Sequence, residues 1–202
     1  MKKILLTSIV AVMATFAANA SVAPYVSLHG GYDTYKVVIS EEDHERYIDG
    51  MLANSAYDLS GAFGVKYDAT SSLGIRGEIE YDFADARHVG VGGLKMDFWR
   101  AHTALVNGYI DFKTTMGLNP YFSAGIGYQW TNHNDSQGDW IPQMHGLAYQ
   151  LGTGVSYDIN KNITVDLGYR YLALADKVED SGAMWELQSV FHQLRLGATY
   201  TF

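Results

Sequence analysis

Eight stretches of this 202-residue chain alternate apolar with polar or small residues at every second position. A period of two is the signature of strands with chemically different faces. In the first stretch Val26, Leu28, Gly30 and Tyr32 share one face, and Tyr25, Ser27, His29 and Asp33 the other. In the third, Leu73, Ile75, Ile79, Tyr81 and Phe83 oppose Arg76, Glu78, Glu80 and Asp82. The pattern returns around Tyr57–Tyr67, Ala104–Phe112, Phe122–Trp130, Leu147–Tyr157, Ile163–Tyr171 and Val190–Phe202. No 3.6-residue stripe separates these stretches, and their even count is the one bacterial barrels use.

Residues 1–20 read as a secretory signal peptide: Lys2 and Lys3, an apolar run from Ile4 to Ala18, then the small-x-small motif Ala18-Asn19-Ala20. The run falls short of the roughly 20 residues that span a bilayer as a helix. Cleavage before Ser21 leaves a domain of residues 21–202 and removes two lysines and no acids, so the formal net charge goes from -8 to -10. Such a balance argues against nucleic acid as a partner. The chain has no cysteine, which removes disulfide and thiol chemistry. After residue 20 no apolar run reaches helix-spanning length, so a membrane crossing has to use strands.

Alternation alone does not distinguish a soluble barrel with an apolar interior from a membrane barrel with a polar one. Two features do. Short connectors (Asp68–Ser72, Lys113–Asn119, Asp158–Asn162) alternate with long ones (Val37–Ala53, Asp85–Lys95, Thr131–Met144, Ala175–Glu186), as in barrels with periplasmic turns and extracellular loops. Aromatics also bracket the apolar face. Tyr67, Phe112, Phe122, Tyr157, Tyr200 and Phe202 fall at the short-turn end; Tyr32, Tyr57, Tyr81, Phe83, Trp130, Tyr149 and Tyr171 fall at the long-loop end. These are the two girdles expected at headgroup level. The expected fold is therefore all-β, an eight-stranded antiparallel up-and-down transmembrane β-barrel, monomeric and surrounded by outer-membrane lipid and lipopolysaccharide.

The closing residues Arg195-x-Gly197-x-x-Tyr200-x-Phe202 resemble the final strand of bacterial outer-membrane barrels. That resemblance implies recognition by the outer-membrane insertion machinery. The stretches 119–128, 148–158 and 163–171 are similar to the fifth, sixth and seventh strands of the opacity-type and porin-like small outer-membrane barrels. The likeness covers the second half well and the first half by pattern, and it implies a bacterial outer-membrane location without transferring a ligand.

An eight-stranded barrel is only wide enough for its own side chains. On the inward face Lys66, Arg76, Arg170 and Arg195 stand with Asp58, Glu78, Glu80, Asp82, Asp111 and Asp166. Four cations against six anions predict an internal ion-pair network, since charges away from water need partners. A narrow channel for ions or small solutes is the alternative.

No enzyme is expected. Glu78 and Glu80 share a face with Arg76 and read as structural, and the run His133-Asn134-Asp135-Ser136 lies in a loop without a recognisable hydrolase motif. The seven histidines show no i, i+2 or i, i+4 pairing for a metal and read as rim residues; no cofactor is implied. Loop one is acidic (Glu41, Glu42, Asp43), as is loop four, while Trp140 and Trp185 supply apolar tips. Exposed aromatics are favoured at hot spots, so these residues are the candidate contacts for a host or matrix protein. The expected function is envelope structure and adhesin-like surface interaction.

Overall fold

Side chains of successive residues in a strand point to opposite faces, so the alternation has a direct structural consequence once the sheet closes on itself. The computed structural model describes residues 22–41, 44–48, 54–91, 94–134, 145–180 and 183–202, with side chains over 22–34, 56–85, 100–130, 145–174 and 190–202. The segment read as a signal peptide lies outside the described residues, as do Glu42, Asp43 and Trp140.

Nine strands are present among the described residues: β1 (Val22–Glu41), β2 (His44–Ile48), β3 (Asn54–Asp68), β4 (Leu73–Val91), β5 (Leu94–Phe112), β6 (Leu118–Asn134), β7 (His145–Asp158), β8 (Ile163–Asp180) and β9 (Ala183–Thr201). All pairings are antiparallel, in the order β1-β3-β4-β5-β6-β7-β8-β9, and β9 returns to β1. Eight strands therefore form a closed barrel, as the sequence predicts. The short β2 is additional, and it folds back along the outer end of β1 with Ile39 opposite Ile48.

Facing follows the expected parity. Leu28, Tyr57, Leu59, Ile79, Val106, Ile126, Leu151, Leu167 and Leu196 are exposed on the outside, whereas Glu78, Glu80, Asp82, Asn107, Gln150, Arg170 and Arg195 are buried inside. A surface this apolar around an interior this polar inverts a soluble protein and suits lipid.

The turns at the short end are tightly built. Asn160 Oδ1 accepts hydrogen bonds from the backbone N–H groups of Asn162 and Ile163, both at 2.9 Å. Gly117 sits at φ 76°, the left-handed region glycine tolerates best, and Asn119 Oδ1 braces the same turn by accepting from Thr114 N at 2.9 Å.

The long connectors differ from the expectation. The eight barrel strands run 14 to 20 residues, although about 9–11 tilted residues cross a membrane. The excess lies at the long-loop end, where the stretches read as loops one, two and four are largely continuing strands. β4 and β5 stay paired to Val91 opposite Leu94, and β8 and β9 to Asp180 opposite Ala183. Period-two signal fades there because such an extension has no lipid on one side and packed lumen on the other. Among the described residues β3 begins at Asn54 and β7 at His145, and the overhang forms two paired blades, β2-β1-β9-β8 and β4-β5-β6.

Candidate lumen plug and outer hairpins

Inside the barrel the charged residues form a layered network that reaches across the lumen. Nearest the short turns, Arg76 makes a two-pronged pair with Asp111, Nε to Oδ2 at 2.7 Å and Nη2 to Oδ1 at 2.8 Å. Its guanidinium lies 4.2 Å from the centre of the Tyr109 ring. The fork and the ring contact together favour arginine over lysine. Arg76→Lys is expected to cost about 1–2 kcal/mol in denaturant unfolding of the refolded barrel, through loss of the second hydrogen bond and the stacking.

The next layer is organised by Glu78. Its carboxylate accepts from the phenols of Tyr25 at 2.7 Å and Tyr109 at 2.6 Å, and from Asn107 Nδ2 at 3.2 Å. Across the lumen Asp166 faces His29 Nε2 at 3.3 Å and the Tyr121 phenol at 3.4 Å. Above this stands Glu80, which accepts from Asn107 Nδ2 at 2.6 Å, Arg170 Nη1 at 2.9 Å and Arg195 Nη2 at 2.6 Å. Arg170 also pairs closely with Asp82 and donates through Nε to Gln193. Gln193 passes the chain on to Asp33 at 2.8 Å, and Arg195 Nε lies 3.4 Å from Asp58.

Arg76, Glu78, Glu80, Asp82, Asp111, Asp166, Arg170 and Arg195 thus lie on the inward face, in two groups joined through Glu78 and Asn107. Lys66 does not join them. It is half-buried at the short-turn mouth, in a hollow it shares with Asp68, Lys113 and Asp158; near the end of its strand, its inward parity leads only to the opening.

Sequence reasoning missed two parts of this interior. Tyr25 and Tyr109 were legible as inward by parity, and a tyrosine on a polar face is itself a signal, because its hydroxyl needs a partner when buried. The other part is an apolar layer beyond the arginines. The Arg170–Gln193 register pair is followed toward the long loops by Leu172–Phe191, and Asp82–Thr103 by Ala84–Ala101. Leu172, Leu174 and Phe191 are all buried. The signal was a break in parity at Leu172 and Leu174, which follow Tyr171 without a polar residue between them.

The closing strand serves both faces at once: Arg195 and Gly197 point inward, while Tyr200 and Phe202 point outward with ring centres 5.2 Å apart. Of the candidate outer contacts, Glu41 and Trp185 come together, since they are register partners across β1 and β9. Loops one and four are therefore neighbours in one blade.

Comparison with known proteins agrees with this architecture. A family model described as the outer membrane protein beta-barrel domain matches residues 4–202. Outer membrane protein PagN of Salmonella typhimurium is 28% identical over 59% of this chain, which spans 56% of that relative's length. The 31 kDa outer-membrane immunogenic protein of Brucella melitensis is 25% identical over the whole of both chains. Among solved structures, Neisserial surface protein A superposes with a TM-score of 0.56 at 18% identity, over 89% of this chain and 97% of that one, a likeness of fold.

Proposed function

The chain belongs to the outer membrane protein beta-barrel domain family and resides in the bacterial outer membrane, and from that premise we propose that its barrel is a closed anchor whose working parts are the blades it raises outside the cell. The observation that carries the reading is the plug. Buried groups from the barrel strands interlock across the interior, from Glu78 and Asn107 through Glu80 to Arg170 and Arg195, and the Leu172–Phe191 layer lies above them. An ion crossing the lumen would have to separate buried charge pairs, which is costly. The rival, a narrow solute channel, needs a continuous wet path, and charges interlocked across the lumen weigh against one.

Glu78 and Glu80 are occupied in holding tyrosine, asparagine and arginine side chains, which supports a structural role for this pair of carboxylates. Function then falls to the hairpins. Paired strands that overrun the membrane by several residues carry the backbone beyond the lipid, where a host or matrix protein is reached. By its name the full-length Brucella relative is an outer-membrane immunogenic protein, in keeping with outer hairpins that meet the outside. The terminal pattern Arg195, Gly197, Tyr200 and Phe202 belongs to the same proposal as the address for membrane insertion.

The deciding experiment pairs two measurements on the refolded protein. In planar bilayers it should show no sustained openings. On cultured cells or immobilised matrix protein, the intact barrel should bind, and a form with β1–β2 and β8–β9 shortened to the membrane edge should lose that binding. Reproducible single-channel conductance from the intact protein would establish the channel in its place.

A further inference from the structure

Below the plug the barrel keeps a second polar chamber, open at the short-turn mouth. Lys66, Asp68, Arg76, Lys113, Asn119 and Asp158 are among the residues that line it, and its volume is about 70 Å³. One water needs about 10–15 Å³ of such space, so the chamber holds about five or six non-hydrogen atoms.

Charge pairing in this chamber is incomplete in a specific way. Arg76 is met by its fork to Asp111, and Lys113 by Asp68 at 2.5 Å. Lys66 stands directly opposite Arg76 across β3 and β4, and it has no hydrogen-bond or ion-pair partner among the described residues. Like charges placed directly opposite are unfavourable, and partial burial of a cation without a contact partner adds to the cost. The carboxylate that acts on Lys66 most strongly is Asp158, from beyond contact distance. Asp158 likewise has no cation in contact among the described residues, yet it is held in place. Its Oδ1 accepts from Thr164 Oγ1 at 2.6 Å and its Oδ2 from Asn119 Nδ2 at 3.1 Å, and Asn119 is itself fixed by the bond from Thr114 N.

A half-buried ammonium and an oriented carboxylate thus face one hollow without meeting. A pair that served only to brace the mouth would gain most by closing on itself. The gap between the two charges fits a molecule that carries the opposite pair. We propose that the short-turn mouth is a binding site for an amino-acid zwitterion, its carboxylate on Lys66 and its ammonium on Asp158. The head group of an amino acid fills the chamber, so a side chain or an attached peptide projects through the mouth into the periplasm. Free amino acids and the peptide ends of the cell wall both present this group there. The site lies on the opposite side of the plug from the outer hairpins and does not depend on their role.

The test uses the full barrel refolded in a non-ionic detergent at low salt, with backbone amide shifts followed by NMR. The probes are glycine, N-acetylglycine, which lacks the ammonium, and glycinamide, which lacks the carboxylate. Glycine should shift the amides around Lys66 and Asp158 with a dissociation constant on the order of 1–10 mM. Each of the other two should bind about tenfold more weakly, one charge-assisted contact being lost. Lys66→Met should lower glycine affinity to that of glycinamide, and Asp158→Asn to that of N-acetylglycine, in barrels whose gel mobility still shifts on heating. Lys66→Met should also unfold at no lower urea concentration than the parent, since it removes a cation that opposes Arg76 and loses no contact. Co-sedimentation with purified cell-wall sacculi separates the two sources. Retention of the parent but not of Lys66→Met, reversed by excess glycine, assigns the wall-borne group; no retention, with glycine still binding, assigns the free amino acid. Equal binding of the three probes, absence of any glycine shift at the mouth, or parental glycine affinity in Lys66→Met would overturn the site.

Discussion

Glu80→Gln should destabilise the barrel by about 3–5 kcal/mol, the range seen when one member of a buried charged set is removed and its partners stay behind. Glu80 is 1% exposed and meets Arg170, Arg195 and Asn107 within 2.9 Å. The amide keeps the volume but loses the charge, and with its oxygen kept on the two guanidiniums its –NH2 faces Asn107 Nδ2, donor against donor. Asp82 and Asp58 would then be the carboxylates left to hold two arginines. Urea unfolding in lipid vesicles, read by the heat-dependent gel shift, measures the loss. A double change, Glu80→Leu with Arg170→Leu, should cost less than the sum of its single changes, because it removes a charge with its counter-charge. Additive losses would show that the two side chains do not interact.

That network also marks how far the sequence could be read. Parity assigned the inward residues correctly, because each strand has lipid on one side and packed interior on the other, and every second residue feels that difference. Parity could not say that Arg170 and Arg195 converge on Glu80, since that depends on the stagger between strands far apart in the chain. Nor could it say that Lys66 stays at the mouth: depth along the barrel is set by register, and inward orientation is the same at every depth. Beyond the membrane the constraint that produces alternation disappears. The continuing strands of the two blades were consequently legible only as long polar connectors, and the meeting of Glu41 with Trp185 had no local signal at all. The outer histidines read as rim residues, which is where His102, His145 and His192 stand; their tyrosine and tryptophan partners come from adjacent strands and appear only with the fold.

Glycines in β6 show the same dependence from the other side, and they carry the second large expected effect. Gly125 and Gly127 both face inward, in the stretch that resembles a family strand. A Cβ at Gly127 would lie 1.8 Å from the Ala104 carbonyl oxygen and 2.8 Å from the Cα of Leu105. Both are backbone atoms of the paired strand, so no side-chain rotation relieves the contact. Overpacking in a closed interior costs about 1–3 kcal/mol where neighbours can shift; here the β5–β6 ladder itself must separate, and the loss should exceed that range. Gly127→Ala is accordingly expected to give little heat-modifiable barrel on refolding. Gly125→Ala is the informative contrast. Its nearest contact, at 2.0 Å, is Asn107 Oδ1, the end of a side chain, although the Val106 carbonyl at 2.9 Å also has to yield. The expected result is a folded barrel with a smaller loss of stability, in which the Asn107 amide is pushed from its place between Glu78, Glu80 and Gln150. Because Asn107 joins the two halves of the plug, this variant is where conductance should first be sought. A plug that stays closed in a correctly folded Gly125→Ala barrel would show that the Glu80–Arg170–Arg195 layer seals the lumen without Asn107.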